Sequence, residues 1–171
     1  GKSFASAIKM GNSGSILSSD IHEKKLGLVR NSAERLGINI ISTSAADARK
    51  NNDSFSEAFD LVIADVPCSG IGVIGKKPEI RWKKEDEIKA LPAIQLDVLN
   101  NLSSYVRCGG RLLYSTCTVL KSENEDVVHA FLDGRDDFVL EPFELGNIKA
   151  QRGMYSFWPQ TDGCDGFFAA R

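Results

Sequence analysis

The chain has 171 residues, 42% apolar and 26% charged, enough for one globular domain with a core of its own. Its net charge of −2 excludes a polycationic binder, so a nucleic-acid partner would have to be held by a local patch. No apolar run approaches the roughly 20 residues that span a bilayer and no signal peptide is visible, so no membrane partner is expected.

Helix and strand patterns alternate along the chain. Lys2–Met10 is predicted as a helix stopped by Gly11-Asn12, and Ser15–Ser19 as a short strand ending at Asp20. From Ile21 to Leu36, Leu26, Val29, Ala33 and Leu36 recur at helical spacing, and Gly37 supplies the stop. Asn39–Thr43 is an Ile-rich strand leading to Asp47, and Phe59–Ala64 a strand apolar enough to be covered on both faces. A helix is predicted from about Ala93 to Val106, closed by Gly109-Gly110 and followed by a strand over Arg111–Tyr114. Ser122–Leu132 is a helix entered through a capping box of Ser122 and Glu125. Three closing strands are expected at Phe138–Glu141, Met154–Trp158 and Gly166–Ala170. Together these predict an α/β fold, a mostly parallel sheet with an antiparallel edge.

Gly1-Lys2-Ser3 leads straight into a helix that usually follows a strand and a glycine-rich turn, so both are expected upstream of Gly1. The same tripeptide fits the end of G-x-x-x-x-G-K-[ST], with Asp65 as a magnesium-binding acid; a nucleotide hydrolase is therefore an alternative. Asp20, Asp47 and Asp65 all fall at strand ends on one expected edge of the sheet, where ribose hydroxyls are commonly held. Helix capping by Asp20 and an Asx turn at Asp47 are the competing structural roles.

The cysteines carry the chemistry. None of the four shows C-x-x-C spacing, so neither zinc nor a disulfide framework is expected, and they are read as reduced thiols in a cytosolic protein. Cys68, in Asp65-Val66-Pro67-Cys68-Ser69-Gly70, and Cys117, in Ser115-Thr116-Cys117-Thr118, each follow a predicted strand. A cysteine there is often only a small buried hydrophobe. Two of them, beside hydroxyls at one sheet edge, point to covalent chemistry by a thiolate. Cys108 and Cys164 lack that setting and are taken as structural. Lys76, Lys77, Arg81, Lys83 and Lys84 surround Trp82, a basic segment with an aromatic suited to phosphate contact and base stacking, or simply a solvated loop.

These motifs resemble those of the RNA cytosine-5 methyltransferases, the NOL1/NOP2/Sun family. Asp65-Val66-Pro67-Cys68-Ser69-Gly70-Ile71-Gly72 is similar to D-A-P-C-S-G-x-G, and Ser115-Thr116-Cys117 with Glu123-Asn124-Glu125 to T-C-x-x-x-x-x-E-N. Gly1-Lys2-Ser3 is similar to the end of A-A-P-G-G-K-[ST]; Pro78-Glu79-Ile80-Arg81-Trp82 and Asp165-Gly166-Phe167-Phe168 also match. Val66, Gln160 and Cys164 depart from the commoner residues, and none removes a catalytic group. Details of the first loop and helix resemble the bacterial Sun/Fmu branch, which acts on 16S rRNA.

The resemblance implies a Rossmann-like class I methyltransferase fold, with residues 1–171 as one S-adenosylmethionine-dependent catalytic domain acting as a monomer. Cys117 would attack carbon 6 of cytosine, Cys68 would assist product release, and Asp65 would contact the base edge and the cofactor. Asp20 would hold the ribose, Asp47 the adenine region, and Gly1 and Lys2 the amino-acid part of the cofactor. Lys76, Lys77, Arg81 and Trp82 are the candidates for RNA contact, and a non-catalytic RNA-binding module is the remaining alternative.

Overall fold

The computed structural model describes residues 1–171, which divide into two compact units, Gly1–Lys50 and Asn51–Arg171. In the first, helix α1 (Lys2–Lys9) precedes strand β1 (Ile16–Asp20), helix α2 (Glu23–Arg35) and strand β2 (Ile41–Ala45). β1 and β2 run parallel, with Asp20 opposite Ala45. α2 packs on this pair through Leu26 and Ala33, the buried members of the predicted stripe. Leu36, expected to belong to that stripe, is instead 49% exposed, because it caps the helix at its last turn.

The second unit opens with β3 (Phe59–Asp65), continues through two short helices, α3 (Glu85–Lys89) and α4 (Leu91–Ser103), and returns as β4 (Val106–Thr116). Helix α5 (Glu125–Leu132) follows, then a small hairpin of β5 (Phe143–Leu145) and β6 (Ile148–Ala150). β7 (Met154–Phe157), the single turn α6 (Pro159–Asp162) and β8 (Phe167–Ala170) complete the chain. The sheet has the order β3-β4-β8-β7; β3 and β4 are parallel, while β8 and β7 add antiparallel. Its core joins Ala64 and Tyr114 of the sheet to Val98 and Leu99 of α4, Val127, Val128 and Phe131 of α5, and Phe168 of β8. Each large apolar side chain buried there contributes about 1.5–3 kcal/mol. Tyr114 and Phe168 meet edge to face at 6.1 Å.

Several expectations need correction. β3 is not covered on both faces: α4 packs against it on the Ala64 side, whereas Leu61, on the opposite face, is 48% exposed. Gly109-Gly110 does not close a helix, because α4 already ends at Ser103, behind Pro92 at its start. The two glycines lie inside β4, where the register slips between Phe59–Val106 and Leu61–Arg111. Gly109 takes φ +73°, and a Cβ on Gly110 would stand 2.9 Å from the Arg107 carbonyl oxygen, so the irregular strand needs both. Ser122 makes no capping box; α5 starts at Glu125 behind a 3-10 turn, Lys121–Glu123. Phe138–Glu141 is no strand, although Glu141 N–H donates to the Arg171 carbonyl.

Candidate active site

The parallel register sets Asp65 beside Ser115, so the segments leaving β3 and β4 emerge from the same end of the sheet. Gly70, at φ +78°, turns the first segment into a 3-10 turn, Ile71–Val73. The Gly72 N–H then donates to the Cys117 carbonyl at 3.1 Å, and the Gly166 N–H to the Gly72 carbonyl at 2.8 Å. A Cβ on Gly72 would lie 2.0 Å from the Gly166 carbonyl oxygen, so only glycine permits this crossing of three segments.

The crossing brings the two thiols together. Cys68 Sγ and Cys117 Sγ are 3.1 Å apart, both half-buried and free, and the Cys117 N–H donates to Cys68 Sγ at 3.3 Å. One proton between two such sulfurs favours one thiolate and one thiol. The Cys68 S–H donating to it brings Cys117 down to about 6, against burial and the Asp65 charge, with Lys77 adding a favourable charge. Cys68 is correspondingly pushed well above an ordinary thiol, first by that hydrogen bond and then by burial.

A buried polar cluster lies behind the thiols. Glu123 and Asn124 are fully buried. Glu123 Oε2 accepts from the Ser69 N–H at 2.8 Å and from Gln95 Nε2 at 2.9 Å, while the Thr118 hydroxyl reaches Oε1 at 3.4 Å. Gln95 Nε2 also donates to the Pro67 carbonyl at 2.9 Å. Ser69 and Thr118 share a hydroxyl hydrogen bond of 2.8 Å. Asn124 accepts from the Thr116 hydroxyl at 2.6 Å and donates to the Thr118 carbonyl at 3.1 Å. Tyr114 O–H donates to the Glu123 carbonyl at 2.6 Å, and Lys83 Nζ to the carbonyls of Cys68 and Ser69.

In the first unit, Asp20 ends β1 and accepts from the His22 N–H at 2.8 Å and from Lys25 at 3.1 Å. Burial raises its carboxyl, but these donors together hold it below the ordinary value. Asp47 lies two residues past β2, where the Arg49 side chain and backbone N–H take both its oxygens and hold it near 2. The competing Asx turn is realised at Asp47, whereas Asp20 does not cap a helix: α2 starts at Glu23 behind His22 with no side-chain cap, and Asp20 closes only a local turn onto the His22 N–H. Gly1 precedes α1 and Lys2 is its first residue, both exposed.

Among the basic residues, Lys77, Arg81 and Trp82 are exposed, Trp82 at 86%. Lys76 pairs with Asp165 at 2.5 Å. Ile80 is buried beneath them, in line with Gly70, where a Cβ would meet Ile80 Cδ1 at 3.1 Å.

A family model described as 16S rRNA methyltransferase RsmB/F matches residues 1–171. The chain belongs to the RsmB/F family. It is 40% identical over 176 residues to the probable ribosomal RNA small subunit methyltransferase B of Bacillus subtilis, covering 98% of this chain and 39% of that protein. Among solved structures, PH0851 superposes with a TM-score of 0.86 at 34% identity, over 96% of this chain and 38% of that one. A methyltransferase homologue from Pyrococcus horikoshii gives a TM-score of 0.74 at 26% identity, over 93% of this chain and 53% of its own. The fold is the expected Rossmann-like class I methyltransferase fold. Family membership sets the nucleotide-hydrolase alternative aside.

Within this RsmB/F chain, the motif spacing located both thiols and Asp65. It assigned no task to Glu123 and Asn124, although they stood in the quoted motif, it read Lys83 only as part of the basic segment, and it missed Gln95. A glutamine on the buried stripe of α4, in step with Val98 and Leu99, was the available signal.

Proposed function

We propose that the protein to which this chain belongs transfers a methyl group from S-adenosylmethionine to carbon 5 of a cytosine in 16S rRNA, through a covalent bond to Cys117. The carrying observation is the 3.1 Å approach of a lowered thiol, Cys117, to a raised one, Cys68. Family membership supports methyl transfer to rRNA as the setting.

The acids of the first unit suit such a cofactor. Asp20 is an acceptor-only group at a strand end, fitted to ribose hydroxyls, and Gly1 and Lys2 would serve the amino-acid end. Asp47 would serve the adenine region once the Arg49 fork opens. When bound, S-adenosylmethionine supplies a methyl group made electrophilic by its sulfonium.

Carbon 5 of cytosine is a weak nucleophile until carbon 6 is saturated. The Cys117 thiolate forms a bond to carbon 6, and the ring electrons become available at carbon 5, which would take the methyl group as its bond to the sulfonium sulfur breaks and a neutral thioether departs. Asp65, at the end of β3, would hydrogen-bond the edge of the base while the ring carries this charge. With its sulfur bonded to carbon, Cys117 is no longer charged, so the interaction that raised Cys68 falls away. Cys68 can then release its proton to solvent and, as thiolate, take the proton from carbon 5. The carbon 5–carbon 6 double bond reforms as the bond to Cys117 breaks, which restores one thiolate and one thiol. The target base must be unpaired or flipped to reach the sulfur, and Lys76, Lys77, Arg81 and Trp82 would hold the surrounding RNA.

With the full-length protein, target RNA and S-adenosylmethionine, Cys117→Ala should abolish methyl transfer. Cys68→Ala should accumulate an RNA–protein adduct that survives a denaturing gel. Turnover by the Cys117 variant would sink the covalent reading, and RNA trapped by that variant would reverse the two roles.

A further inference from the structure

We propose that Gln95 and Glu123 form a positioning bracket that sets the distance between the two reactive sulfurs, and that this bracket, rather than the motif loops alone, makes the pair competent. Its catalytic meaning rests on the methyl-transfer reading above. Cys68 and Cys117 sit on separate segments, and a hydrogen bond between sulfurs is too weak to hold two loops in register. Glu123 gathers both segments on one carboxyl group: Ser69 N–H from the Cys68 turn and the Thr118 hydroxyl from the Cys117 turn. Gln95 comes from neither segment. It projects from α4, whose neighbours Val98 and Leu99 belong to the core, and its single amide nitrogen spans Glu123 and the carbonyl of Pro67, the residue before Cys68.

Both side chains are fully buried, so no water replaces a lost partner without entering the core. The amide is also oriented by chemistry. Turning it over would direct its oxygen at the Pro67 carbonyl and the Glu123 carboxyl, three acceptors together. The bracket therefore ties the Cys68 turn to the rigid core on one side and to the Cys117 turn on the other. A sub-ångström change in this tie would lengthen the sulfur contact, and hydrogen bonds weaken steeply with distance and angle.

The test reads the contact directly, as the pH dependence of Cys117 alkylation by iodoacetamide in the full-length protein, resolved by peptide mass spectrometry. Gln95→Leu removes both donated bonds. Glu123→Leu keeps a similar volume and removes the acceptor of the Ser69 N–H, the Thr118 hydroxyl and the Gln95 amide. Val98→Ala, on the same helix, removes core packing without touching the bracket. Both bracket variants should raise the midpoint from near 6 toward the ordinary thiol value of about 8.5, slowing alkylation at pH 7 by about tenfold. Val98→Ala should lower the melting temperature and leave the midpoint in place.

An unmoved midpoint in a folded Gln95→Leu or Glu123→Leu protein, or an equal rise in Val98→Ala, overturns the proposal. If one of the two bracket variants does not fold, the other decides alone. The assay uses neither RNA nor S-adenosylmethionine. A Cys68→Ala protein that traps no RNA would count against methyl transfer while leaving the bracket intact, and an unmoved midpoint would remove the bracket alone.

Discussion

In the proposed reaction the Cys117 sulfur needs its negative charge before the ring arrives, and the neighbouring Cys68 thiol helps to supply it. Because Cys117 is lowered to about 6, its thiolate fraction rises as pH climbs through 6 and is nearly complete by pH 8. Alkylation of Cys117 should follow the same curve, whereas an ordinary thiol titrates near 8.5. Cys68→Ala removes the donating S–H, so the midpoint in that variant should move up; a midpoint unchanged there would mean that Lys77 and the backbone alone hold the charge. The strand-end placement of Cys68 and Cys117 was legible from sequence because each sits beside its own turn signal. Gln95 was not, since its partners, Pro67 and Glu123, lie 28 positions away on either side and meet it only after β3, α4 and β4 have packed.

At the scale of elements, close backbone approach is what holds the site. Gly72→Ala would drive a methyl group into the Gly166 carbonyl, at 2.0 Å, and into the Cys117 carbonyl, at 2.9 Å. Neither neighbour is a flexible side chain. The variant should be destabilised by about 1–3 kcal/mol or more in urea denaturation, with the crossing displaced. Asn124→Ala strands the Thr116 hydroxyl and the Thr118 carbonyl in the interior, a loss of about 1–3 kcal/mol by the same measurement. Local pattern misled where glycine and serine have two uses. Gly109-Gly110 reads as a helix stop, yet serves an irregular strand; Ser122 and Glu125 have capping-box spacing, yet a 3-10 turn intervenes because Glu123 and Asn124 are drawn into the interior. Both outcomes are tertiary overrides of correct local chemistry.

For the whole molecule, a net charge of −2 is why the proposed RNA contact is assigned to the basic segment around Trp82. Trp82→Ala should leave the melting temperature unchanged, given 86% exposure, and weaken RNA binding by about 1–3 kcal/mol if a base stacks on the indole. Lys77→Ala should lower the slope of log affinity against log salt by about one, uniformly across RNA sequences. Binding that is indifferent to both changes would move the RNA contact elsewhere. By itself the sequence determined the alternation of strands and helices, the strand-end placement of Cys68, Cys117 and the three acids, and the family resemblance. Those follow from hydrophobic periodicity and short motifs, which are local. The tertiary structure alone decided the sulfur–sulfur distance, the split in thiol acidity and the Gln95–Glu123 bracket. Each depends on groups far apart in sequence meeting at hydrogen-bond range, which packing fixes and periodicity does not encode.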